Sequence, residues 1–359
     1  MDRLALETQT LYAELLEQLT ALDAHRSIGR VPGCFVTKIV KGDTYYYFQY
    51  SDPGGVLRQR YVGKRTPALD KIVARFREER GGRETDVAQI QRLCAQLRAG
   101  GALTTDSAIA RVIKALAESG LFHLGGVLIG THAFTVLGNL LGIRWTQHAV
   151  KTQDIDIAGK LHLDIAVPDL HADVPQTLDG LQMGFLPVPA FNLKSPSTSF
   201  KVRGSALRVD FLTPLKHPRS AAPVVIHRFN MAAQPLPYLD YLLEHYERGA
   251  LVDGQGVLVN VPTPARFAFH KLIISRVRDI STKAKSDKDL LQARQVLEIL
   301  AADRPGDLLL AWEALESRGK AWIEKTVAGL SALIKRYPTV KEPLLDALPS
   351  LHSHLKRIG

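Results

Sequence analysis

Cysteine is scarce in this sequence of 359 residues, since only Cys34 and Cys94 are present. Two cysteines without metal-site spacing exclude a disulfide framework and a cysteine zinc site, and they favour a reducing compartment. Runs of about 18 apolar residues are also lacking, so we expect no transmembrane helix and no membrane partner. The N-terminal stretch MDRLALETQTLYAELLEQL has neither the basic nor the apolar segment of a secretory signal. Together these absences predict a cytoplasmic protein.

Several familiar catalytic motifs are missing as well. The 12 histidines include no H-E-x-x-H pattern, which argues against a zinc protease. The sequence has no G-x-S-x-G, Walker A or dinucleotide-binding glycine pattern, so the enzyme classes that carry these motifs are disfavoured. Any catalytic chemistry must therefore depend on other residues.

Positive charge is in excess, because 46 Lys and Arg residues against 36 Asp and Glu residues give a net charge of +10. A basic balance favours polyanionic partners such as nucleic acid or nucleotide phosphates. A soluble protein that is merely basic fits the same charge equally well, and the rest of the composition is ordinary, with 46% hydrophobic and 23% charged residues. The charge alone leaves both interpretations open.

The spacing of apolar residues and turn signals divides the chain into three predicted domains, 1–103, 104–262 and 263–359. The first combines helices over 3–24 and 67–99 with a three-stranded sheet over 34–64. The second begins with a helix over 104–120 and continues with helices over 131–141 and 235–246 and a polar-edged segment over 162–168. Its predicted extended segments are 125–130, 152–158, 199–204, 207–214, 223–229 and 257–264. The third is helical from residue 265 onward. We therefore predict an α+β protein.

The small N-terminal sheet mixes aromatic and basic residues, as in the stretches TYYYFQYS and LRQRYVGKR. Aromatic rings interleaved with Arg and Lys can stack on bases and neutralise phosphates. Alternatively, the tyrosines pack on the neighbouring helices while the cations are merely solvated. The sequence does not distinguish these two possibilities.

Two aspartates, Asp154 and Asp156, interrupt the predicted strand QDIDIA. Residues i and i+2 of a strand share a face, so the two carboxylates lie on one side and Ile155 and Ile157 on the other. Like charges held together repel each other, and a divalent cation offsets that repulsion because hard oxygen ligands suit Mg²⁺. A third acid, Asp210, lies in the strand RVDFL and could complete a two-metal site for phosphoryl transfer. A D-x-D pair taken alone is more often a surface edge.

A possible phosphate-binding turn precedes these acids. Gly130 and Thr131 end the strand VLIG and begin the helix THAFTVLGNLL. Glycine permits close approach to the backbone, and the first turn of a helix offers free N–H groups to an anion. A simple helix cap is the alternative interpretation of this step.

The ordered set VLIGTHA, QDIDIA and RVDFL resembles the nucleotidyltransferase superfamily with a DNA polymerase β-like fold. It is most similar to a bacterial branch that carries an N-terminal segment like YYYFQYSDPGG and a C-terminal segment like PARFAFHKLIISR. The resemblance implies a mixed sheet flanked by helices. It also implies Mg²⁺, or Mn²⁺ in its place, bound by Asp154, Asp156 and Asp210, with Gly130 and Thr131 at the triphosphate. Thr131 replaces the usual Ser or Gly, and an added loop over 142–151 separates the glycine from the acids.

Two further residues are candidates for binding substrate. Lys271 is an isolated cation in the apolar helix FAFHKLII, and the resemblance implies that such a helical region supplies a cation to the triphosphate. A lysine that extends along the helix to reach solvent is the alternative. Thr152 precedes the acid pair and either orients a carboxylate or simply begins the strand.

These observations predict a Mg²⁺-dependent nucleotidyltransferase. It would move a nucleoside monophosphate from an NTP to an acceptor, with RNA such as a tRNA end favoured over a protein or small molecule. The alternative is a nucleic-acid-binding protein that has kept the fold without the chemistry. The sequence leaves open which NTP is used, what the acceptor is and how many copies assemble.

Overall fold

The computed structural model describes residues 1–27, 33–51, 57–146, 152–159, 173–189, 196–215, 222–278 and 283–355. The polar-edged segment over 162–168 and the last five residues of the loop predicted over 142–151 lie outside this description. The described residues combine helices with several sheets, which confirms the mixed α+β class.

Helices and strands follow one another through the described residues. The helices are α1 Leu6–Ser27, α2 Pro67–Ala99, α3 Ser107–Glu118, α4 Gly130–Leu140, α5 Val174–Asp179, α6 Leu239–Leu242, α7 Pro264–Val277, α8 Lys283–Asp303, α9 Pro305–Glu316, α10 Lys320–Arg336, α11 Lys341–Ala347 and α12 Leu351–Leu355. The strands are β1 Asp2–Arg3, β2 Gly33–Val40, β3 Asp43–Ser51, β4 Leu57–Lys64, β5 Gly126–Ile129, β6 Ile143–Arg144, β7 Asp154–Gly159, β8 Phe185–Pro187, β9 Ser199–Val202, β10 Arg208–Pro214, β11 Val224–Ile226, β12 Met231–Leu236, β13 Tyr246–Leu251 and β14 Val257–Pro262. Short 3₁₀ turns follow β11 and precede α11.

The three-stranded N-terminal sheet is confirmed, with antiparallel strands in the order β2-β3-β4. One of its faces packs against α2, where Phe76 makes edge-on contacts with Phe35 and Phe48. The hydroxyl of Tyr46 donates a hydrogen bond to the carboxylate of Asp70 in the first turn of α2, over 2.6 Å. A three-stranded sheet needs such a covering partner to be stable, and α2 supplies it.

The central sheet is mixed, and the described part of the chain contributes seven strands to it, with β10 in the middle. On one side β10 runs parallel to β7, which pairs in turn with antiparallel β5. On its other side β10 pairs first with antiparallel β9 and then, further along, with parallel β12. Strand β8 extends the sheet through β9, and β11 extends it through β12.

Alternation of residue types explains why β7 and β10 occupy the centre. Ile155, Ile157, Val209 and Phe211 are each at most 2% exposed. Their aspartate neighbours point to the other face of the pleated strands, as period-two geometry requires. Burial of four large apolar side chains holds both strands in place, at roughly 1.5–3 kcal/mol each. The acids are therefore carried on a rigid part of the fold.

The apolar core of the central sheet is continuous with the C-terminal helices, since one cluster of buried residues extends from Ile109 to Leu351. A smaller cluster joins α1 and α2 to β13, and Tyr12 donates a hydrogen bond from its hydroxyl to the Ala250 carbonyl, over 2.9 Å. The division into three domains stays a prediction. None of the described helices is long and apolar enough to cross a membrane.

One predicted element is wrong. The helix expected over 235–246 is reduced to the short α6, Leu239–Leu242, because β12 continues to Leu236 and β13 begins at Tyr246. Pro235 pairs with Thr213 of β10, so the sheet ladder overrides the helical spacing of the leucines. The segment predicted as extended over 223–229 is a strand only for Val224–Ile226 and then forms a 3₁₀ turn.

Candidate functional site

A cleft of about 650 Å³ opens where the central sheet meets α4, α7 and α8. Its volume lies within the range of small-molecule sites. The lining includes every residue that the sequence nominated: Gly130, Thr131, Thr152, Asp154, Asp156, Asp210 and Lys271. These residues come from four separate parts of the chain, 130–131, 152–156, 210 and 271, and folding brings them together around one cleft.

Asp156 and Asp210 are direct neighbours across the parallel strands β7 and β10. Asp154 lies two residues before Asp156 on the same strand, so its side chain projects from the same face. Burial, together with the adjacent Asp210 carboxylate, raises the pKa of the Asp156 carboxyl to about 6. The acids thus form a strip of closely spaced negative charge that an added cation would stabilise.

Arg208 lies within this strip and pairs with one of the acids. Its Nε atom donates to Oδ1 of Asp210 over 2.7 Å and to the Ser199 hydroxyl over 2.8 Å. Arg208 and Asp210 are two residues apart on β10 and so share a face. The arginine gives the Asp210 carboxylate a counter-charge that belongs to the protein itself.

The chemistry of the three aspartates fits a hard divalent cation, because all the donors are carboxylate oxygens. The repulsion between Asp156 and Asp210 is the kind of unfavourable contact that such an ion relieves. Within the part of the chain that the structure describes, however, no three acidic, histidine or cysteine side chains are already arranged as a set of metal ligands. Arg208 occupies Oδ1 of Asp210, so an ion shared with the other two acids would have to bind this carboxylate beside the arginine or in its place.

Gly130 approaches the acids through its backbone. It has a φ of +67°, a conformation that side-chain-bearing residues rarely adopt, and a Cβ atom added at this position would clash with Oδ2 of Asp156. Strand β5 pairs Ile129 with Asp156, which places the turn directly beside the carboxylate. The helix α4 then begins at Gly130, so its first free N–H groups open beside the acids.

The two threonines have distinct surroundings. The hydroxyl of Thr152 accepts a hydrogen bond from the backbone N–H of Asp154 over 3.2 Å, which fixes the entry into β7. Thr131 is 8% exposed in the first turn of α4, where its carbonyl accepts a hydrogen bond from the Thr135 hydroxyl. Thr152 therefore orients the backbone of the acid strand, and both threonines line the cleft.

Lys271 does not extend along its helix to solvent. Its Nζ atom donates to Oδ1 of Asp289 over 2.6 Å, and Nε of Arg278 donates to the other oxygen of the same carboxylate over 2.7 Å. The Asp289 side chain is only 4% exposed. Burial alone would raise the pKa of the Asp289 carboxyl, but Lys271 and Arg278 outweigh burial and hold that pKa below its usual value.

Further basic residues line the same wall of the cleft. Burial and the nearby Lys271 lower the pKa of Lys288, although the charges of Asp154 and Asp156 oppose this shift. Lys285 lies one turn earlier on α8 and also lines the cleft. His270 is neutral near pH 7, since burial and Lys271 lower its pKa to about 3. A basic wall formed by α7 and α8 thus faces the acidic strip.

Comparison with known proteins now assigns the family. Residues 107–316 match the model of a family described as nucleotidyltransferase, which is more than half of the chain. The chain belongs to this nucleotidyltransferase family. The predicted superfamily resemblance is therefore confirmed.

Other comparisons add little to the family match. The chain is 15% identical to an antigenic nucleotidyltransferase-like protein from Paracoccidioides brasiliensis, whose crystal structure aligns with a TM-score of 0.39. That alignment covers 67% of this chain and 94% of the other chain. A search of curated proteins finds no match. Membership of the family supports nucleotidyl transfer as the general activity of this nucleotidyltransferase and an NTP as its substrate.

Two residues of the nucleotidyltransferase cleft, Arg208 and Asp289, are not among the site residues that the sequence predicts. Arg208 was detectable, because the pattern R-x-D on a strand places both side chains on one face. Asp289 lies inside α8, which begins at Lys283, and its carboxylate pairs with Lys271 of α7 and with Arg278 at the end of that helix. No local sequence pattern predicts a contact between side chains of two separate helices.

Proposed function

We propose that this nucleotidyltransferase transfers a nucleoside monophosphate from an NTP to an acceptor hydroxyl or phosphate and releases pyrophosphate. The observation that carries the proposal is the convergence, in one cleft, of three aspartates, a glycine-threonine helix start and a basic wall. A DNA polymerase β-like arrangement of the central sheet is part of the same proposal.

The acids are proposed to hold Mg²⁺, or Mn²⁺, through Asp154, Asp156 and Asp210. When bound, such an ion supplies electrostatic stabilisation to the phosphate oxygens and orients the reacting groups. The acceptor oxygen would bond to the α-phosphorus while the bond to the leaving pyrophosphate breaks. The proton of an acceptor hydroxyl would pass to water or to a carboxylate of the cleft, with Asp210 as the candidate.

The remaining groups would position the triphosphate. Gly130 and Thr131 present backbone N–H groups at the start of α4, where an anion is favoured. Lys271 and Lys288 face the acids across the cleft and would neutralise the phosphates. We propose that the domains have separate roles. Residues 104–262 would carry out catalysis, residues 263–359 would supply the cations, and residues 1–103 would bind the acceptor.

RNA is the favoured acceptor, with the end of a tRNA as one form of it, because the net charge of +10 suits a polyanion. The alternative function is a nucleic-acid-binding protein without transfer activity. A half-buried acidic strip with no role in catalysis would destabilise such a protein without benefit, which favours the enzyme.

The test is incubation of the full chain with each labelled NTP and bulk RNA, with Mg²⁺ or with chelator, followed by mass spectrometry of RNA and protein. We expect Mg²⁺-dependent label transfer that falls at least about 1000-fold in Asp154→Asn and Asp156→Asn. The matched control is Asp179→Asn, since Asp179 is an exposed aspartate of α5. RNA binding without transfer in any of these mixtures would support the alternative function instead.

A further inference from the structure

Three tyrosines form a continuous patch on the N-terminal sheet. The rings of Tyr45 and Tyr47 lie 6.1 Å and 5.5 Å from the ring of Tyr61, measured between centroids. Nζ of Lys38 lies 4.7 Å from the centroid of the Tyr47 ring, within the range of a cation–π contact. We refer to Lys38, Tyr45, Tyr47 and Tyr61 together as the tyrosine face.

Strand register explains why these side chains share one face. Tyr47 is paired directly with Tyr61 across β3 and β4, whereas Tyr45 is paired with Lys38 across β2 and β3. An irregularity in the β3–β4 register between Tyr46 and Tyr47 inserts one extra residue into β4. Without that insertion the Tyr61 side chain would lie on the opposite face, because a one-residue slip reverses the side of every side chain.

The tyrosine face lies on the side of the sheet away from α2. The α2 side is occupied by Phe35, Tyr46 and Phe48, the residues that contact Phe76 and Asp70. Tyr61 is 56% exposed on the open side. Tyr45 and Tyr47 are half-buried beside it. None of the three tyrosines contacts α2 through the residues that cover the helix, so their rings form a partly open aromatic surface on a paired sheet.

The small sheet is rich in positive charge, and the strand register places Lys38 and Lys64 opposite Tyr45 on the tyrosine face, whereas Arg58 and Arg60 lie opposite Tyr50 and Phe48 on the other face. Across residues 33–51 and 57–66 the sequence has one acid, Asp43, and six cations, which are Lys38, Lys41, Arg58, Arg60, Lys64 and Arg65. Asp43 is paired with Lys64 over 2.8 Å and Arg65 with Asp70 of α2. Open aromatic rings in a positive field match a ligand that has flat rings joined by negative charges.

We propose that the tyrosine face binds single-stranded nucleic acid by stacking bases on Tyr45, Tyr47 and Tyr61 while the surrounding cations contact phosphates. Aromatic side chains on a small sheet are suited to this role because unpaired bases expose both faces to stacking. Binding at this surface does not require the NTP or the acids of the cleft. The proposal rests on the proposed function, and it identifies the surface at which the acceptor strand would bind.

The test is fluorescence anisotropy of the full chain with labelled 20-nucleotide single-stranded RNA and DNA, without NTP or Mg²⁺. We expect Tyr47→Ala and Tyr61→Ala each to weaken binding about tenfold or more. Tyr61→Phe keeps the ring and should bind like the unmodified protein. The matched control is Tyr246→Ala, since Tyr246 is a 46% exposed tyrosine on β13, outside this sheet.

Competition separates nucleic acid from other polyanions. A polyglutamate chain of equal charge should compete much more weakly than the oligonucleotide, because it has no rings to stack. Equal competition, an unchanged affinity in both alanine variants or no binding by the unmodified protein would each overturn the proposal. The variant Asp154→Asn/Asp156→Asn should keep its affinity while losing transfer, so a failure of the binding surface and a failure of the proposed transfer reaction remain distinguishable.

Discussion

Lys271 Nζ and Asp289 Oδ1 lie 2.6 Å apart, and their side chains are only 11% and 4% exposed. The two residues belong to different helices, α7 and α8, so this ion pair links the two helices at the edge of the cleft. Arg278 binds the second oxygen of the carboxylate. Asp289 is therefore the shared anion of two cations that face the acidic strip.

Removal of this shared anion should lower the free energy of unfolding more than removal of one of its cations does. In Asp289→Asn, Lys271 and Arg278 are left close together without a counter-charge, and we expect the free energy of unfolding to fall by about 3 kcal/mol. In Lys271→Met the carboxylate keeps Arg278, so a loss of about 1 kcal/mol is expected. Urea denaturation of both variants measures the difference, and an equal loss in the two would contradict the shared-anion arrangement.

Gly130 is expected to be intolerant of even one added carbon. Gly130→Ala places a Cβ atom in a left-handed backbone conformation and against Oδ2 of Asp156. The backbone strain alone is worth about 1–2 kcal/mol. Displacement of the carboxylate should add to that loss and weaken Mg²⁺ binding, which calorimetric titration of the folded variant would show.

The matched control for this substitution is Gly204→Ala. Gly204 has a similar φ of +73°, but nothing lies within 4 Å of an added Cβ atom. It should show the strain without any effect on Mg²⁺ binding. If the two variants have the same affinity for Mg²⁺, Gly130 does not position the Asp156 carboxylate.

Asp156→Asn should stabilise the protein in the absence of metal. The substitution removes a partly buried negative charge that lies beside Asp210, so we expect the free energy of unfolding to rise by about 1 kcal/mol in the presence of chelator. The exposed Asp346→Asn on α11 serves as the control and should have almost no effect. A loss of stability in Asp156→Asn would show that the carboxylate is favourably paired even without metal.

Glu247 gives a pH-dependent prediction away from the cleft. Its Oε1 atom is buried without a hydrogen-bond partner among the described residues. Burial, with a smaller contribution from Asp307, raises the pKa of the Glu247 carboxyl above its usual 4.5, although Arg304 opposes the shift. Because the folded pKa is the higher one, stability falls as the pH rises from about 4.5 through the folded value.

Glu247→Gln should therefore exceed the unmodified protein in stability at pH 8, by about 1 kcal/mol, and match it at pH 3. Thermal or urea denaturation at the two pH values measures this. Glu313→Gln, which changes an exposed glutamate of α9, should show no such difference between pH 3 and pH 8. A constant effect of Glu247→Gln at both pH values would mean that the carboxyl does not titrate differently in the fold.

The sequence predicted the acid strand well because the relevant signal is local. Alternation of Asp154, Ile155, Asp156 and Ile157 specifies a strand with one buried and one polar face, and the structure has that strand. The turn signal at Lys41 and Gly42, before β3, likewise predicts the small sheet, and the structure has a turn there. The helix predicted over 235–246 failed because a ladder partner from a distant strand, β10, extended β12 to Leu236.

The sequence by itself determined the chemistry that this nucleotidyltransferase has available: three aspartates on strands, a glycine-threonine helix start, and a basic, tyrosine-rich sheet. Only the tertiary structure decided which groups face each other. The pairing of Lys271 with Asp289 depends on how α7 packs against α8, and the side on which Tyr61 lies depends on one extra residue in the ladder between β3 and β4. Contacts between separate elements are set by packing and register, and no local spacing of residues encodes them.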